Sequence, residues 1–358
     1  MKKIFSILAS LFFLFGTFFV AHPVDAALHF ATGTLYYVPV TITNSLSSPT
    51  PAPFQTMVSV NSSAYSSYLA SNLSNVNWQD GAGNILNSWL ESGNSNSATA
   101  SVYWVKLPSG IPANSSVIIY LGFYATSANN FNTSNTGEAP TLSGTYGQYD
   151  NGTNVFSNYW NFAGTSAPPG FISLSGSSPS YNNGVTLTGA LPGENIYYSS
   201  ATISPSSYIT ESYTPSTPSA AWGGIIYTTV ASSGGTYGLS TGYAAGGRAA
   251  QQIYSVNGGA YVYENGASIS YPAIFGITWR SYQNATEYTN YGSVLPALTT
   301  DAPAYGNTYI GLGAWSSGII TFNWLRTRAY PPAGIMPSDS FGSITSLTVS
   351  FHKILLIM

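Results

Sequence analysis

Residues 309–332 read YIGLGAWSSGIITFNWLRTRAYPP, and this stretch decides the fold. Ile319, Ile320, Phe322, Trp324 and Leu325 follow one another closely before Arg326 and Arg328. A run so rich in β-branched and aromatic residues, punctuated by Gly and Pro, predicts a sheet-core strand over 319–327 that leads out to solvent. Arg326 and Arg328 stand two apart and so share one face of that strand. They read as a solvated edge or as partners of acidic neighbours such as Glu211 or Asp301.

Working outward, the same strand chemistry recurs. In the first half it covers 36–43, 54–60, 84–91, 101–107 and 117–124. In the second half it starts at 154, continues near 171, 185 and 208, and then covers 224–230, 237–243, 250–256, 260–264, 273–280, 286–291 and 309–314. Intervals of about 8–12 residues with Gly, Asn and Pro between them are the signature of sandwiches and jelly rolls. One helical turn is expected in 63–73, where Tyr65, Tyr68 and Leu69 fall at helical spacing. Residues 126–154 turn to Asn, Thr, Ser and Gly and predict a junction. The expected fold is all-β: a leader at 1–26, a β-sandwich at 27–135, a jelly-roll sandwich at 136–340 and a tail at 341–358.

Lys2 and Lys3, an apolar stretch from Ile4 to Val20, and small residues at Val24 and Ala26 predict a secretory signal peptide cut after Ala26. An uncleaved anchor is the alternative, because the apolar stretch is nearly long enough to span a bilayer. Removal of the leader takes His22 and leaves His29 and His352 near the ends of the mature chain. The tail SLTVSFHKILLIM is too short to span a membrane, and the mature chain is expected to have no span. With no Cys, an exported chain must be held by its core, which 28 Tyr, 17 Phe and 8 Trp can supply.

Charged residues are 5% of the chain, against about a quarter in ordinary soluble proteins. A net charge of −3 and the lack of a basic cluster exclude nucleic acid as a partner. With only 11 Asp and Glu to protonate, the chain is expected to suit an acidic or hot exterior. Asn-x-Ser/Thr sequons at Asn61, Asn72, Asn114, Asn132, Asn151 and Asn284 are glycan-acceptor candidates in such a setting. A chain so rich in Asn, Ser and Thr also generates them by chance.

Three segments resemble a family. YYVPVTITN from Tyr36, VNWQDGAGNILNSWLES from Val76 and ASVYWVKLPSGIPANSSVIIYLGFY from Ala100 resemble, in that order, the secreted β-sandwich module of the DUF2341 family. YDNG ahead of NVFSNYWNF, GITWRS with ATEYTNYGS, and FNWLRTRAYPP resemble the concanavalin-like or laminin G-like jelly roll that commonly follows it. The resemblance implies a secreted protein and names no activity, since the module's function is unknown. Relatives often carry adjacent acidic residues where this chain has Asp150, Asn151 and Gly152, so calcium is the one cofactor it raises and the ligands here do not supply its site.

No residue pattern points to catalysis. Without Cys, and with both mature His outside the core, nucleophilic triads and zinc sites have no members. A glycosidase needs two facing carboxylates, and Glu194, Glu211, Glu264, Glu287 and Asp301 show no spacing that would place a pair on one face. Sugar binding is better supported, because Trp and Tyr faces stack on sugar rings while Asn, Ser and Arg meet their hydroxyls. The candidates are Trp222, Tyr243, Arg248, Tyr261 and Tyr263, with Trp279, Arg280, Tyr288, Tyr291 and Trp315. Trp279 and Trp324 are expected in the core. The expected function is therefore adhesion, envelope structure or glycan binding, with glycans or other cell-surface proteins as partners. A carbohydrate-active enzyme and a filament or surface-layer subunit are the alternatives.

Overall fold

In the computed structural model, which describes residues 28–173, 179–189, 194–219, 222–229, 241–257, 260–296, 305–314 and 318–347, strand Ser101–Leu107 shows the organising pattern. Tyr103, Val105 and Leu107 point into one sandwich with Val38, Val40 and Ile42 of strand Tyr36–Asn44. Trp104, on the opposite face, points away into a second core. One sheet of this sandwich runs Ser338–Phe341, Tyr36–Asn44, Ser115–Phe123, Val76–Gln79, Ile85–Leu86. The other runs Phe54–Val60, Ser101–Leu107, Ser88–Ser92, Thr136–Glu138.

Three short strands pair across the expected boundaries. Ser338–Phe341 and Thr345–Ser346, expected at the end of the jelly roll and in the tail, both pair antiparallel with Tyr36–Asn44. Thr136–Glu138, expected to open the jelly roll, lies parallel beside Ser88–Ser92. A sheet edge offers unpaired N–H and C=O groups to whichever extended segment the topology brings alongside, so short strands are chosen by pairing rather than by their own pattern. Residues 1–27, which include the expected leader, and 348–358 lie outside the described residues.

Residues 152–334 build the second sandwich, a jelly roll of two large antiparallel sheets. Its outer sheet runs Phe171–Ser173, Glu194–Ile203, Thr308–Ala314, Gly223–Thr228, Thr241–Gly247, Ala250–Asn257, Ala260–Ser268. Its inner sheet runs Ser293–Pro296, Asn284–Thr289, Ala273–Ser281, Tyr208–Thr214, Trp324–Ala329, Asn158–Trp160. Between them lie Ile225, Tyr227, Phe275, Ile277, Trp279 and Leu312. The strand expected over 319–327 is in fact two, Ile319–Phe322 in a small third sheet and Trp324–Ala329 in the inner sheet. Asn323 makes the corner, its N–H donating to Tyr213 O at 3.0 Å. Nor does the run lead to solvent, because all of Trp324–Ala329 is buried. The predicted helical turn is a 3-10 helix at Ser62–Tyr68, and the start expected for a strand at 154 is a helical turn, Gly152–Val155. No helix among the described residues is long and apolar enough to cross a membrane.

The inner sheets of the two sandwiches pack face to face, giving four layers and three cores. Trp89, Trp104, Phe156, Tyr159 and Trp324 form the middle core. In its centre Arg326 donates from Nε to Glu211 at 2.8 Å and from Nη2 to Tyr291 Oη at 2.6 Å. Nη1 lies 2.8 Å from Glu91 Oε2, an ion contact too bent to count as a hydrogen bond. Arg328 donates from Nε to the other Glu211 oxygen at 2.8 Å. The Arg326 guanidinium also lies 4.4 Å from the Trp324 ring centre and 4.7 Å from that of Trp104. The solvated-edge reading of these arginines therefore fails, while pairing with Glu211 is present. Burial alone would pull the Arg326 pKa down, but Tyr291, Glu211 and Glu91 outweigh it and hold the charge firmly on.

Glu287 has no such partners. It shares the inward face of Asn284–Thr289 with Ala285, is fully buried, and neither carboxyl oxygen meets a donor. Burial pushes its pKa from 4.5 up to about 10. Asp150 and Glu138 are raised as well, again chiefly by burial. Between pH 4.5 and about 10 the folded Glu287 keeps a proton that the unfolded chain has released, so stability falls as pH rises through that window. At pH 7 the cost is roughly 3 kcal/mol.

Two outcomes follow from these layers. Arg326→Met leaves Glu91 without its cation and Glu211 with Arg328 alone, and is expected to lower stability by about 3–5 kcal/mol in denaturant titration. Thermal melts should show the native protein losing about 5–10 °C between roughly pH 4.5 and pH 7.5, with most of that dependence removed in Glu287→Gln.

Candidate binding cleft between the sandwiches

At one edge of the middle core the two sandwiches part to leave a cleft of about 620 Å³. The first sandwich contributes its 48–53 loop, presenting Pro49, Pro51 and Pro53 as one wall. Proline's fixed φ makes that wall stiff. Hydrogen bonds from Thr50 N to Ile111 O at 2.9 Å and from Asn44 Nδ2 to Ser48 O at 2.8 Å hold the loop in place. Gln55, just beyond the loop, ties the sandwiches together beside the cleft residue Ala329. Its Oε1 accepts from Ala329 N at 2.9 Å and its Nε2 donates to Val155 O at 3.1 Å.

The second sandwich supplies the polar side. Arg280 lies on the outward face of Ala273–Ser281, opposite to the core residues Ile277 and Trp279. Its guanidinium carbon sits 3.9 Å from the centre of the Tyr330 ring, a cation–π contact. Tyr330 N donates to Ser207 O at 3.0 Å, which brings Ser206, Ser207 and Tyr208 to the same wall. Arg280, Tyr208 and Tyr330 are all half-buried, so each presents one side to the cleft. No Asp or Glu lines it.

The residues expected to bind sugar scatter. Trp222 is 2% exposed and so offers no stacking face to a ligand. Tyr291 is also withdrawn from ligand binding, since its hydroxyl donates to Glu91 at 2.7 Å and accepts from Arg326. Its backbone is held at φ 64, a left-handed conformation costly for a bulky side chain and sustained here by those bonds. Arg248 is exposed and donates from Nε to Pro218 O at 3.1 Å, away from the cleft. Tyr288 is half-buried beside Tyr330, and burial with Tyr330 next to it pushes its phenol up. Trp315 lies outside the described residues, as do the side chains of Tyr243, Tyr261 and Tyr263. Arg280 is the expected candidate that the cleft takes up. Tyr330 and Tyr208 were missed, because adjacent Pro331 and Pro332 read as a strand end and a lone Tyr before a strand carries no signal of its own.

The acidic candidates do not assemble. Glu211 faces the middle core and Glu287 the jelly-roll interior, on opposite faces of one sheet, so they cannot flank a bond. Glu264 is exposed on a different sheet, while Asp301 and the Glu194 side chain lie outside the described residues. Nor do the residues of YDNG fit calcium. Asp150 Oδ1 accepts from Trp89 Nε1 at 2.9 Å and Gly152 N at 3.0 Å, and Oδ2 accepts from Tyr159 Oη at 2.7 Å and Asn161 Nδ2 at 2.8 Å. A carboxylate already holding four donors has no lone pair directed at a cation. Gly152 is required there, since a Cβ would stand 2.6 Å from the Tyr159 ring. No group of three or more His, Cys, Asp or Glu able to hold a metal occurs among the described residues.

Asn151 is fully buried, which removes it as a glycan acceptor because a glycan needs a solvent-facing amide. Asn61, Asn72, Asn114 and Asn284 are exposed, and Asn132 is half-buried.

No family model matches the chain. It is similar to uncharacterized protein 562 of Sulfolobus islandicus rod-shaped virus 1, with 29% identity over 352 residues covering 87% of this chain and 60% of that protein. The chain thus spans less than two thirds of that relative. Among solved structures, the apo Crh5 transglycosylase aligns at 13% identity over 49% of this chain and 87% of its own, with a TM-score of 0.35. A legume lectin-like domain from Entamoeba histolytica aligns at 12% over 44% and 89%, with a TM-score of 0.34. A glycosyl hydrolase family protein from Mycobacterium fortuitum aligns at 10% over 48% and 99%, with a TM-score of 0.33.

Saturation of Asp150 sets a clear expectation. Asp150→Ala strands four donors and should lower the melting temperature by about 6 °C or more, while calcium or a chelator should move the native melt by less than about 1 °C.

Proposed function

We propose that the chain is exported, acts at a cell or particle surface, and binds saccharides in the inter-sandwich cleft without chemically altering them. One observation carries this reading: a guanidinium stacked on a tyrosine ring, framed by serine hydroxyls and a proline wall, in a cleft of about 620 Å³. Volumes of this size suit a ligand of a few sugar rings. Aromatic and proline faces take the apolar sides of a pyranose, while Ser and Arg groups meet its hydroxyls. The absence of any Asp or Glu from the lining supports binding rather than hydrolysis, since glycoside cleavage requires a pair of carboxylates across the bond.

The cleft also fits a role that needs durability. Its two walls belong to different sandwiches, and Gln55 and the contacts of Glu91 with Arg326 and Tyr291 bridge them. A preorganised cleft loses little entropy on binding.

A glycan array probed with the purified protein tests the proposal. Binding to a subset of glycans is expected, with Tyr330→Ala weakening it at least about tenfold, or roughly 1.4 kcal/mol, while circular dichroism shows the fold retained. Absence of binding across the array, or full binding by Tyr330→Ala, overturns it.

A further inference from the structure

We infer that the cleft ligand is an acidic saccharide, one carrying a sulfate ester or a uronate carboxylate that Arg280 receives. This rests on the reading of the cleft as a saccharide site and narrows its substrate class.

The argument begins with how this chain spends its cations. Among the described residues Lys106 donates to Asn154 O at 2.8 Å, Arg248 to Pro218 O, and Arg326 and Arg328 are committed to glutamates. Among these described cations Arg280 alone is shown in neither an ion pair nor a hydrogen bond, and the interaction it makes is with the Tyr330 ring. A guanidinium has five N–H donors in one plane. Stacking on a ring occupies its face and leaves the donors on its edge directed outward, which is the geometry that grips an anion through two parallel bonds.

The surroundings agree with that use. Partial burial and the stiff 48–53 wall restrict water around Arg280, which strengthens its attraction for a negative group. No Asp or Glu lines the cleft to compete for the cation or to repel an anionic ligand. Ser206 and Ser207 supply neutral hydrogen-bonding groups for the remaining sugar hydroxyls. In a chain with only 8 Lys and Arg, a cation kept without an acidic partner on a cleft wall is a specificity element rather than general surface charge.

Calorimetric titration of the purified full-length protein with dextran sulfate, polygalacturonate and neutral dextran tests this. At least one acidic polymer is expected to bind tenfold or more tightly than dextran, and which one does so separates sulfate from uronate. Arg280→Gln should abolish that preference, whereas Arg248→Gln, which alters an exposed arginine outside the cleft, should preserve it. In the native protein the preference should shrink as sodium chloride rises from about 20 to about 200 mM. Equal binding of dextran and both acidic polymers, weakened alike by Tyr330→Ala, would overturn the acidic class and leave the saccharide cleft standing. Preference that survives Arg280→Gln, or that Arg248→Gln removes as fully, would trace it to diffuse charge and overturn the assignment to Arg280. Indifference of all three polymers to both Tyr330→Ala and Arg280→Gln would remove the cleft and the inference together.

Discussion

The guanidinium of Arg326 sits at the centre of the contact between the two sandwiches. It lies between Glu91 of the first sandwich and Glu211 of the second, under a roof of Trp89, Trp104, Phe156 and Trp324. An entirely apolar interface of this area would be at least as stable, because removing charges from water is costly. What the ionic cluster adds is geometry: Glu211 fixes Arg326 within its own sheet, and Glu91 Oε2 of the first sandwich meets both Arg326 and the Tyr291 hydroxyl, so sliding one sheet over the other breaks both contacts together. The cleft inherits that fixity. Arg328 and Ala329, two and three residues beyond Arg326 on one strand, lead directly into Tyr330 on the cleft wall.

The same economy governs charge elsewhere. Of the few carboxyls, Glu91 and Glu211 are paired in the middle core, Asp150 is saturated by four donors, and Glu287 is buried without a partner. Burial raises Glu138, Asp150 and Glu287. Asp80 moves the other way: burial acts to raise it, but hydrogen bonds from Asn84, Ala82 and Gly83 prevail. Most of the shifted carboxyls therefore favour the protonated folded state, and stability shifts toward acid. The scarcity of charge in the sequence suggested tolerance of acid, and the buried carboxyls add a reason why acid is preferred between neutral pH and about 4.5.

Tertiary pairing explains where the strand reading broke. Trp324–Ala329 is buried on both faces because a second sandwich covers its outer side, so the alternation that usually marks a half-buried strand carries no solvent meaning there. Tyr291 and Trp222 looked like ligand aromatics because side-chain type alone does not distinguish a ring over a cleft from one closing a core. Ser338–Phe341 and Thr345–Ser346 have little strand pattern, and they exist as strands because Tyr36–Asn44 would otherwise present an open edge.

By itself the sequence determined the all-β class, most strand positions, the absence of thiols, and Arg280 as a binding candidate. These are local properties, set by periodicity, turn residues and the presence or absence of reactive side chains. Only the tertiary structure decided that the sandwiches share a third core, that Arg326 and Arg328 are buried, and that Arg280 meets Tyr330 beside a proline wall from the other sandwich. Each of those contacts joins residues far apart in the chain, and no residue's immediate neighbours encode which distant surface will cover it.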